Sequence, residues 1–224
     1  MKIAIDGPSG AGKSTIAKLV AEKLGFVYID TGAMYRTIGL YCVENGIDLV
    51  NEEAVTAVLK NISIDIKYIS GEQNMFLNGV NVNNRIRTPE ISAAASAVAK
   101  IKEVRAFLVE MQRNMAKKND VIMDGRDIGT NVLPDADVKI FLTASPESRA
   151  NRRYKELVEK GIETDYETIL SDMIKRDKND TERACSPLAM AEDAILTDTT
   201  NYTLEESLEF VLKIIKESGG VDNV

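Results

Sequence analysis

Residues 7–15 read Gly7-Pro8-Ser9-Gly10-Ala11-Gly12-Lys13-Ser14-Thr15. They match the pattern G-x-x-x-x-G-K-[ST], with a short apolar run before them and an amphipathic segment ending at Gly25 after them. Three glycines allow backbone N–H groups to surround a phosphate chain, and the Lys13 ammonium can reach the β and γ oxygens. The sequence predicts a loop between a strand and a helix in which every residue contacts a nucleoside triphosphate and the Ser14 hydroxyl is placed for Mg²⁺.

The composition narrows the range of partners. The 224 residues are 44% hydrophobic, which is enough for a sizeable core in one or two domains. The chain has 28 basic and 35 acidic residues and therefore a net charge of −7, so a nucleic acid polymer is not expected as a partner. No apolar run approaches about 18 residues and no signal-peptide pattern occurs at the N-terminus, so no membrane is expected. We expect a cytoplasmic monomer.

Cysteine and histidine usage narrows the chemistry. Cys42 and Cys185 are far apart and lack C-x-x-C spacing, so neither a zinc site nor a disulfide scaffold is expected. The chain has no histidine, which excludes Ser-His-Asp triads and an imidazole general base. Chemistry is therefore expected to use carboxylates, lysine, arginine and a metal ion.

Five short apolar runs alternate with helical patterns, at residues 3–5, 26–29, 121–123, 138–142 and 194–196. This alternation predicts an α/β fold in which helices cover a parallel sheet. About 90 residues separate the second run from the third. A crossover connection needs far fewer, which indicates an insert.

The insert has the pattern of a small antiparallel sheet. Residues 62–68 alternate apolar and polar, as a half-exposed strand does. Residues 70–71, Ser-Gly, mark a turn. Residues 78–79, Asn-Gly, lie between the apolar runs 75–77 and 80–82 and are a strong hairpin signal.

A helix is predicted after the insert. Thr88 can cap it, with Pro89 at its first position. The helical pattern continues to about Lys117 and is long enough that the helix is expected to bend or divide near Lys100. The chain from Ser218 onward is expected to fray.

A second polar cluster, residues 124–127 (Asp-Gly-Arg-Asp), follows the third apolar run. In open parallel sheets, ligands bind at the carboxyl ends of the strands. Asp124 could complete the Mg²⁺ shell, or it could cap a turn. Further arginines near predicted element ends are either solvated surface residues or a forked phosphate receptor: Arg36, Arg105, Arg176 and Arg183.

Arg149, Arg152 and Arg153 lie at the start of another predicted helix and can share one of its faces. Such a group suits a mobile lid that closes over transferring phosphates. The alternative is an exposed charged helix in which Glu156 and Glu159 pair with these arginines.

The absence of histidine bears on the acceptor. A hydroxyl acceptor ordinarily needs a general base, whereas a monophosphate oxygen is already anionic at neutral pH. An arginine-rich site without histidine favours a monophosphate and in-line transfer of the γ-phosphoryl group. A kinase for another acceptor, a GTPase-type switch and a nucleotide-dependent scaffold remain alternatives. The chain has no Asn-Lys-x-Asp sequence for guanine, which counts against the switch.

These motifs together resemble the bacterial cytidylate kinase family. The resemblance rests on residues 7–15, on 30–36 (Asp-Thr-Gly-Ala-Met-Tyr-Arg), on 124–129 (Asp-Gly-Arg-Asp-Ile-Gly) and on 176–183, and it spans nearly the whole chain. It implies a phosphotransferase that moves a phosphate group from ATP to CMP or dCMP with Mg²⁺, in pyrimidine nucleotide metabolism. It also implies the P-loop nucleoside monophosphate kinase fold, a five-stranded parallel sheet with helices on both faces, a small antiparallel insert and a short lid.

The resemblance implies residue roles as well. Acceptor contacts are implied for Thr31, Tyr35, Arg36, Ser96, Arg105, Arg126, Asp127, Arg176, Asp180 and Arg183. The phosphate would be bound by Arg36, Arg126 and Arg183, the sugar and phosphate side by Arg176 and Asp180, and the cytosine by Ser96, Arg105 and Asp127. A carboxylate suits the exocyclic amine of cytosine, and a guanidinium with a hydroxyl suits its acceptors. Catalytic roles are implied for Lys13, Arg126, Arg149, Arg153 and Arg183.

One domain over residues 1–224 is expected. Its core would comprise about 1–33, 118–145 and 165–224, its monophosphate-binding subdomain about 34–117, and its lid about 146–164.

Overall fold

The computed structural model describes residues 1–69 and 71–219. The chain divides into two compact units: the first contains Met1–Tyr28 and the described residues from Asn119 onward, and the second contains Ile29–Lys118. The described elements, in chain order, are β1 (Lys2–Asp6), α1 (Lys13–Leu24), β2 (Val27–Asp30), α2 (Thr31–Glu44), α3 (Glu52–Val58), β3 (Ile64–Ile69), β4 (Glu72–Leu77), β5 (Val80–Asn81), α4 (Pro89–Val98), α5 (Lys102–Ala116), β6 (Val121–Gly125), β7 (Val138–Thr143), α6 (Pro146–Glu159), α7 (Tyr166–Glu182), β8 (Ile195–Asp198) and α8 (Leu204–Glu217).

The main sheet contains the five strands predicted from the apolar runs. Its order is β2-β6-β1-β7-β8, and its strands are parallel. In the centre, Ile3 of β1 pairs with Ile122 of β6 on one side and with Val138 of β7 on the other. These apolar strands are buried, as expected for a parallel sheet covered by helices. The α/β prediction is confirmed.

Helices α1 and α8 pack with this sheet in the hydrophobic core of the first unit. Ile16 and Val20 of α1 lie one turn apart and are buried together with Val211 and Ile215 of α8. A capping box begins α8, because the Thr203 side chain and its partner at the third helical position satisfy each other's backbone N–H groups. This packing supports the central strand β1, from whose carboxyl end the phosphate-binding loop begins.

The second unit contains the small antiparallel sheet, in the order β3-β4-β5. Leu77 pairs with Val80 across the predicted Asn78-Gly79 turn. Both turn residues have positive φ, 49° and 82°, as a tight two-residue hairpin requires. The predicted insert is confirmed. The turn predicted at Ser70-Gly71 includes Ser70, which lies outside the described residues.

The predicted long helix is two helices, α4 and α5, which meet near Lys100 as expected. The Thr88 hydroxyl accepts from the Ile91 backbone N–H at 3.2 Å and caps α4. Small buried residues, Ala94 and Ala95, let α4 approach α2 closely. The sequence predicts fraying from Ser218 onward. Ser218 and Gly219 instead continue the hydrogen bonding at the end of α8, because their N–H groups donate to the Ile214 and Lys216 carbonyl oxygens at 3.0 and 3.1 Å. Residues 220–224 lie outside the described residues.

Across residues 1–69 and 71–219, no helix combines the length and the apolar character needed to cross a bilayer.

Candidate active site

The phosphate-binding loop lies between β1 and α1 in the first unit, as predicted. Gly7 has φ 145°, and a Cβ atom there would stand 1.9 Å from the backbone oxygen of Leu142 on β7. Only glycine allows the loop to leave β1 this close to the neighbouring strand. Gly10 and Gly12 also have positive φ, 76° and 89°. The three glycines therefore hold the loop in a conformation that other residues would strain.

The N-terminus of α1 carries no side-chain cap. Gly12 is its N-cap residue and makes no side-chain hydrogen bond to the first turn. The N–H groups of that turn, and the positive end of the helix dipole, are therefore available to an anion. This arrangement suits a phosphate.

Lys13 is buried, with 5% of its surface exposed. Its Nζ donates to the Pro8 carbonyl oxygen at 2.7 Å. Burial lowers the pKa of Lys13 to about 7, and the positive charges of Arg126 and Arg176 act in the same direction, against the carboxylates of Asp124 and Asp6. Several cations are thus held near one another, an arrangement that a bound polyphosphate would stabilise.

Asp6 was not predicted as part of the site. At the end of β1, its carboxylate accepts from the backbone N–H groups of Ile128 and Gly129 at 2.8 and 2.7 Å. Burial raises the pKa of Asp6 to about 6, although these two hydrogen bonds favour the ionised form. Asp6 therefore joins the start of the phosphate-binding loop to the turn that follows β6.

Ser14, Asp124 and Tyr28 form a hydrogen-bonded group. The Ser14 hydroxyl donates to Asp124 Oδ2 at 2.7 Å, and the Tyr28 hydroxyl donates to Asp124 Oδ1 at 2.8 Å. Asp124 is thus beside the loop and is not merely a turn residue. Serine and carboxylate oxygens are ligands that suit Mg²⁺, which keeps several waters and phosphate oxygens as its other ligands.

A pocket of about 580 Å³ opens beside the loop, within the range of small-molecule sites. The loop and the start of α1, residues 10–16, form one wall. Arginines and Glu156 of α6 form another, and the segment after β8 completes the lining with Thr199, Tyr202, Thr203, Leu204 and Ser207. These last residues carry no motif. Their position at the carboxyl end of a parallel strand is the one signal that could have indicated them.

The arginines of α6 differ from their predicted arrangement. Arg149 is buried, with its guanidinium bonded to protein oxygens, so it does not project from an exposed helix face together with its neighbours. Arg152 donates to the Thr199 carbonyl at 2.5 Å. Arg153 pairs with Glu156 at 2.8 Å, which is one of the intrahelical pairs that the alternative interpretation expected. The lid over residues 146–164 stays a prediction.

Five residues predicted to contact the acceptor lie in the first unit, and four of them form two charge pairs. Arg126 Nε donates to Asp180 Oδ2 at 2.8 Å. Arg183 Nε donates to the Ser186 carbonyl oxygen at 2.7 Å, and its Nη2 lies 3.6 Å from Asp127 Oδ1. Carboxylates thus orient both guanidinium groups. Arg176, on α7 with Asp180, is near enough to Lys13 to affect its pKa.

Asp127 is buried, and its second oxygen accepts from Asn131 Nδ2 at 3.0 Å. Asn131 was not predicted as part of the site. The amide and the guanidinium of Arg183 together hold the carboxylate in one orientation.

The second unit contains the other predicted acceptor residues. Thr31 begins α2, and the preceding Asp30 caps that helix by accepting from Ala33 N–H at 2.8 Å. The other Asp30 oxygen pairs with Arg36 at 3.0 Å and with Arg87 at 3.4 Å. Within the described residues, Arg36 Nε is buried and has no hydrogen-bond partner. Asp30 thus orients the Arg36 guanidinium, and the hydrogen-bonding capacity of Nε is unused among the described residues.

Arg105 is buried in the second unit, with its guanidinium carbon 5.6 Å from the centre of the Tyr35 ring. Its Nη1 also donates to the Ala99 carbonyl oxygen at 3.2 Å. Stacking on an aromatic ring fixes the plane of a guanidinium. Ser96 lies half-buried on α4. The structure brings Tyr35 and Arg105 into contact, as two residues predicted for one ligand would be.

The fold and this loop define a class, the α/β proteins with a phosphate-binding loop between the first strand and helix. A solved structure of shikimate kinase from Bacteroides thetaiotaomicron shares the fold, with a TM-score of 0.50 and 12% identity over 97% of this chain and 97% of that one.

Sequence comparison identifies the family. The family model for cytidylate kinase matches residues 3–217. The cytidylate kinase of Thermosipho melanesiensis is 53% identical over 96% of this chain and 97% of its own length, and that of Caldicellulosiruptor saccharolyticus is 55% identical over 96% and 95%. The chain belongs to the cytidylate kinase family.

Proposed function

We propose that this protein transfers the γ-phosphoryl group of ATP to CMP and dCMP, giving CDP or dCDP and ADP, and that it does so as a monomer in the cytoplasm. The observation that carries the proposal is the pocket beside the phosphate-binding loop, in a chain that belongs to the cytidylate kinase family. This region contains three features that suit a phosphate. They are the buried Lys13, the uncapped N-terminus of α1 and several arginines.

ATP would bind with its phosphates in the loop, residues 7–15. The N–H groups of that loop and Lys13 would hold the β and γ phosphates. The same pocket is also lined by Arg152, Arg153, Tyr202 and Leu204. An aromatic ring and an aliphatic side chain suit the adenosine end of the nucleotide.

Ser14 and Asp124 would hold Mg²⁺, with the carboxylate acting directly or through water. Their 2.7 Å hydrogen bond places two hard oxygen atoms beside the loop, and the Tyr28 hydroxyl orients the carboxylate. When bound, the ion would supply positive charge that neutralises the negative charge developing on the phosphates.

Residues in each of the two units are proposed to contact the acceptor. In the first unit, Arg126 and Arg183 would bind the acceptor phosphate, Arg176 and Asp180 its sugar and phosphate side, and Asp127 the amine of cytosine. In the second unit, Arg36 would bind the phosphate, Ser96 and Arg105 the cytosine acceptors, and Thr31 and Tyr35 would complete the contacts. The buried Nε of Arg36 supports its assignment to the phosphate.

Transfer needs no protein base. An anionic oxygen of the CMP phosphate attacks the γ phosphorus in line, a P–O bond forms to that oxygen, and the bond from the γ phosphorus to the β–γ bridging oxygen breaks with departure of ADP. Lys13, Arg126, Arg153 and Arg183 would stabilise the charge spread over the transferring group. We assign Arg149, which the family resemblance implies to be catalytic, a positioning role.

The proposal is tested by following the transferred group. With ATP labelled at the γ phosphate, CMP and Mg²⁺, we expect label in the β position of CDP, separated by chromatography. Label released as free phosphate, or none in CDP, would contradict transfer to CMP.

ATP binding is predicted to take up a proton at pH 8. With a pKa of about 7, Lys13 is mostly neutral at that pH in the ligand-free protein. An adjacent polyphosphate favours the ammonium form and raises this pKa, so binding draws a proton from the buffer. At pH 6 Lys13 is already charged, and its share of the uptake disappears. Calorimetry of a non-hydrolysable ATP analogue in two buffers of different ionisation enthalpy measures the uptake, up to about one proton.

Lys13→Met is the control, because methionine cannot titrate. Equal proton uptake by this variant and the unvaried protein at pH 8 would refute the assignment to Lys13.

Asp127→Ala is predicted to weaken the preference for cytosine. UMP has a carbonyl where CMP has its amine, so a carboxylate accepts from CMP and repels UMP. The ratio of kcat/KM for CMP to that for UMP should fall roughly ten- to hundredfold, while ATP affinity changes by less than about twofold. Asp135→Ala, in an exposed loop, is the matched control and should leave both unchanged. An unchanged ratio in Asp127→Ala would sink the assignment.

A further inference from the structure

Arg149 is bonded to three separate segments of the first unit. Its Nε donates to the Ala144 carbonyl at 2.8 Å, just before α6. Its Nη1 donates to the Ser9 carbonyl in the phosphate-binding loop at 2.9 Å, and its Nη2 donates to Asp177 Oδ2 on α7 at 2.6 Å. The residue is 3% exposed. Burying a charged guanidinium is unfavourable unless its N–H groups are hydrogen-bonded. Here each of the three guanidinium nitrogens donates to one acceptor, which offsets the desolvation penalty.

Asp177 relies on this contact. Among the residues that the structure describes, its Oδ1 is buried and has no hydrogen-bond partner, so the salt bridge through Oδ2 neutralises the carboxylate. Removing Arg149 would leave both the Asp177 carboxylate and the Ser9 carbonyl without this donor. Breaking such a buried pair from one side is strongly unfavourable.

One face of helix α7 contacts both the phosphate-binding loop and Arg126. Met173, Asp177 and Asp180 are spaced i, i+4 and i+7, which places them on one side of the helix. A Cβ atom at Gly10 of the loop would stand 3.1 Å from Met173 Cε, so that methionine lies against the loop. Asp180 instead holds Arg126, which is proposed to bind the acceptor phosphate.

We propose that Arg149 is a positioning residue: through Asp177 it fixes α7 against the phosphate-binding loop, and α7 in turn holds Arg126 through Asp180, so that the loop and Arg126 keep one fixed arrangement. The inference rests on the proposed function. This role differs from that of a lid cation. A lid cation stabilises the transition state by its charge, whereas Arg149 as a positioning residue acts through its three hydrogen bonds to the protein.

The test uses Arg149→Lys, Asp177→Asn and the double variant. Lysine keeps the charge but cannot bond three segments with one nitrogen, and asparagine keeps the volume while losing the charge. We expect each single variant to weaken binding of a non-hydrolysable ATP analogue and to lower kcat/KM for CMP, each by roughly tenfold or more. The double variant should lose no more than the worse single variant, because one linkage is broken in all three.

Asp172→Asn, at an exposed position on α7, is the matched control and should have the same ATP affinity and kinetics as the wild-type protein. Thermal unfolding of each variant checks that the fold is kept, and Asp177→Asn, which makes no new cavity, serves if Arg149→Lys does not fold.

Additive losses in the double variant would overturn the proposal. So would near-normal kinetics in Arg149→Lys, because lysine keeps the charge and breaks the linkage, or a loss confined to ATP binding with CMP parameters unchanged. Failure of the proposed function itself would show separately, as an absence of CMP-dependent ADP release in the unvaried protein.

Discussion

Arg126→Met is expected to lower kcat by about 10³-fold, the scale of an arginine that stabilises phosphoryl transfer. Arg126 lies just after β6, where Asp180 and the Gly125 carbonyl hold its guanidinium. Its charge lowers the pKa of Lys13, second only to burial, so the two cations are close in the first unit. Two neighbouring cations repel each other, and anionic oxygens placed beside them relieve this repulsion. The transition state carries the most negative charge on its oxygens, so both cations stabilise it most strongly.

Steady-state ADP release with CMP measures the effect. Arg126→Lys should recover only part of the rate, since lysine restores the charge without the fork. Arg113→Met, exposed on α5, is the matched control and should keep the full rate. A loss below about tenfold in Arg126→Met would mean that Arg126 does not contact the transferring group.

Lys13→Met is expected to lower kcat by about 10²- to 10³-fold. Methionine fills nearly the same volume, so the loop should keep its shape while losing the charge at the β and γ oxygens. The negative charge grows toward the leaving group during transfer, so kcat should fall more than ATP affinity does.

Parallel measurements of kcat and of ATP binding by calorimetry separate these effects. Lys18→Met, exposed on the same helix, should change neither. If the Lys13→Met variant lost affinity and kept its kcat, Lys13 would be a binding residue without a role in the transition state.

The sequence predicted those parts of the fold that depend on local patterns. The five apolar runs became the strands of one parallel sheet, and Asn78-Gly79 formed the hairpin, because strand periodicity and turn chemistry are local properties. The division of the helix near Lys100 was predicted from the unusual length of the helical pattern, which is also a local property of the sequence.

The contacts around the loop were not predictable in this way. Asp6 and Tyr28 act through Gly129 and Asp124, which are 123 and 96 residues away in sequence. Only the register of β1, β2 and β6 brings them together. The far wall of the pocket, from Thr199 onward, likewise depends on where β8 joins the sheet.

The arrangement of α6 shows the limit of helical periodicity. Periodicity places Arg149 beside Arg152 and Arg153, but it does not tell which side packs inward. The Ser9 carbonyl and Asp177, 140 and 28 residues away in sequence, decide that Arg149 is buried. A long-range acceptor therefore outweighed the tendency of arginine to stay in water.

The central claim is that this protein phosphorylates cytidine monophosphates with ATP. The most direct measurement is ADP release from ATP and Mg²⁺ with a panel of acceptors: CMP, dCMP, UMP, AMP, GMP, TMP, shikimate and no acceptor. We predict strong turnover with CMP and dCMP and little with the others. Equal use of CMP and AMP, or turnover with none of the acceptors, would contradict the account.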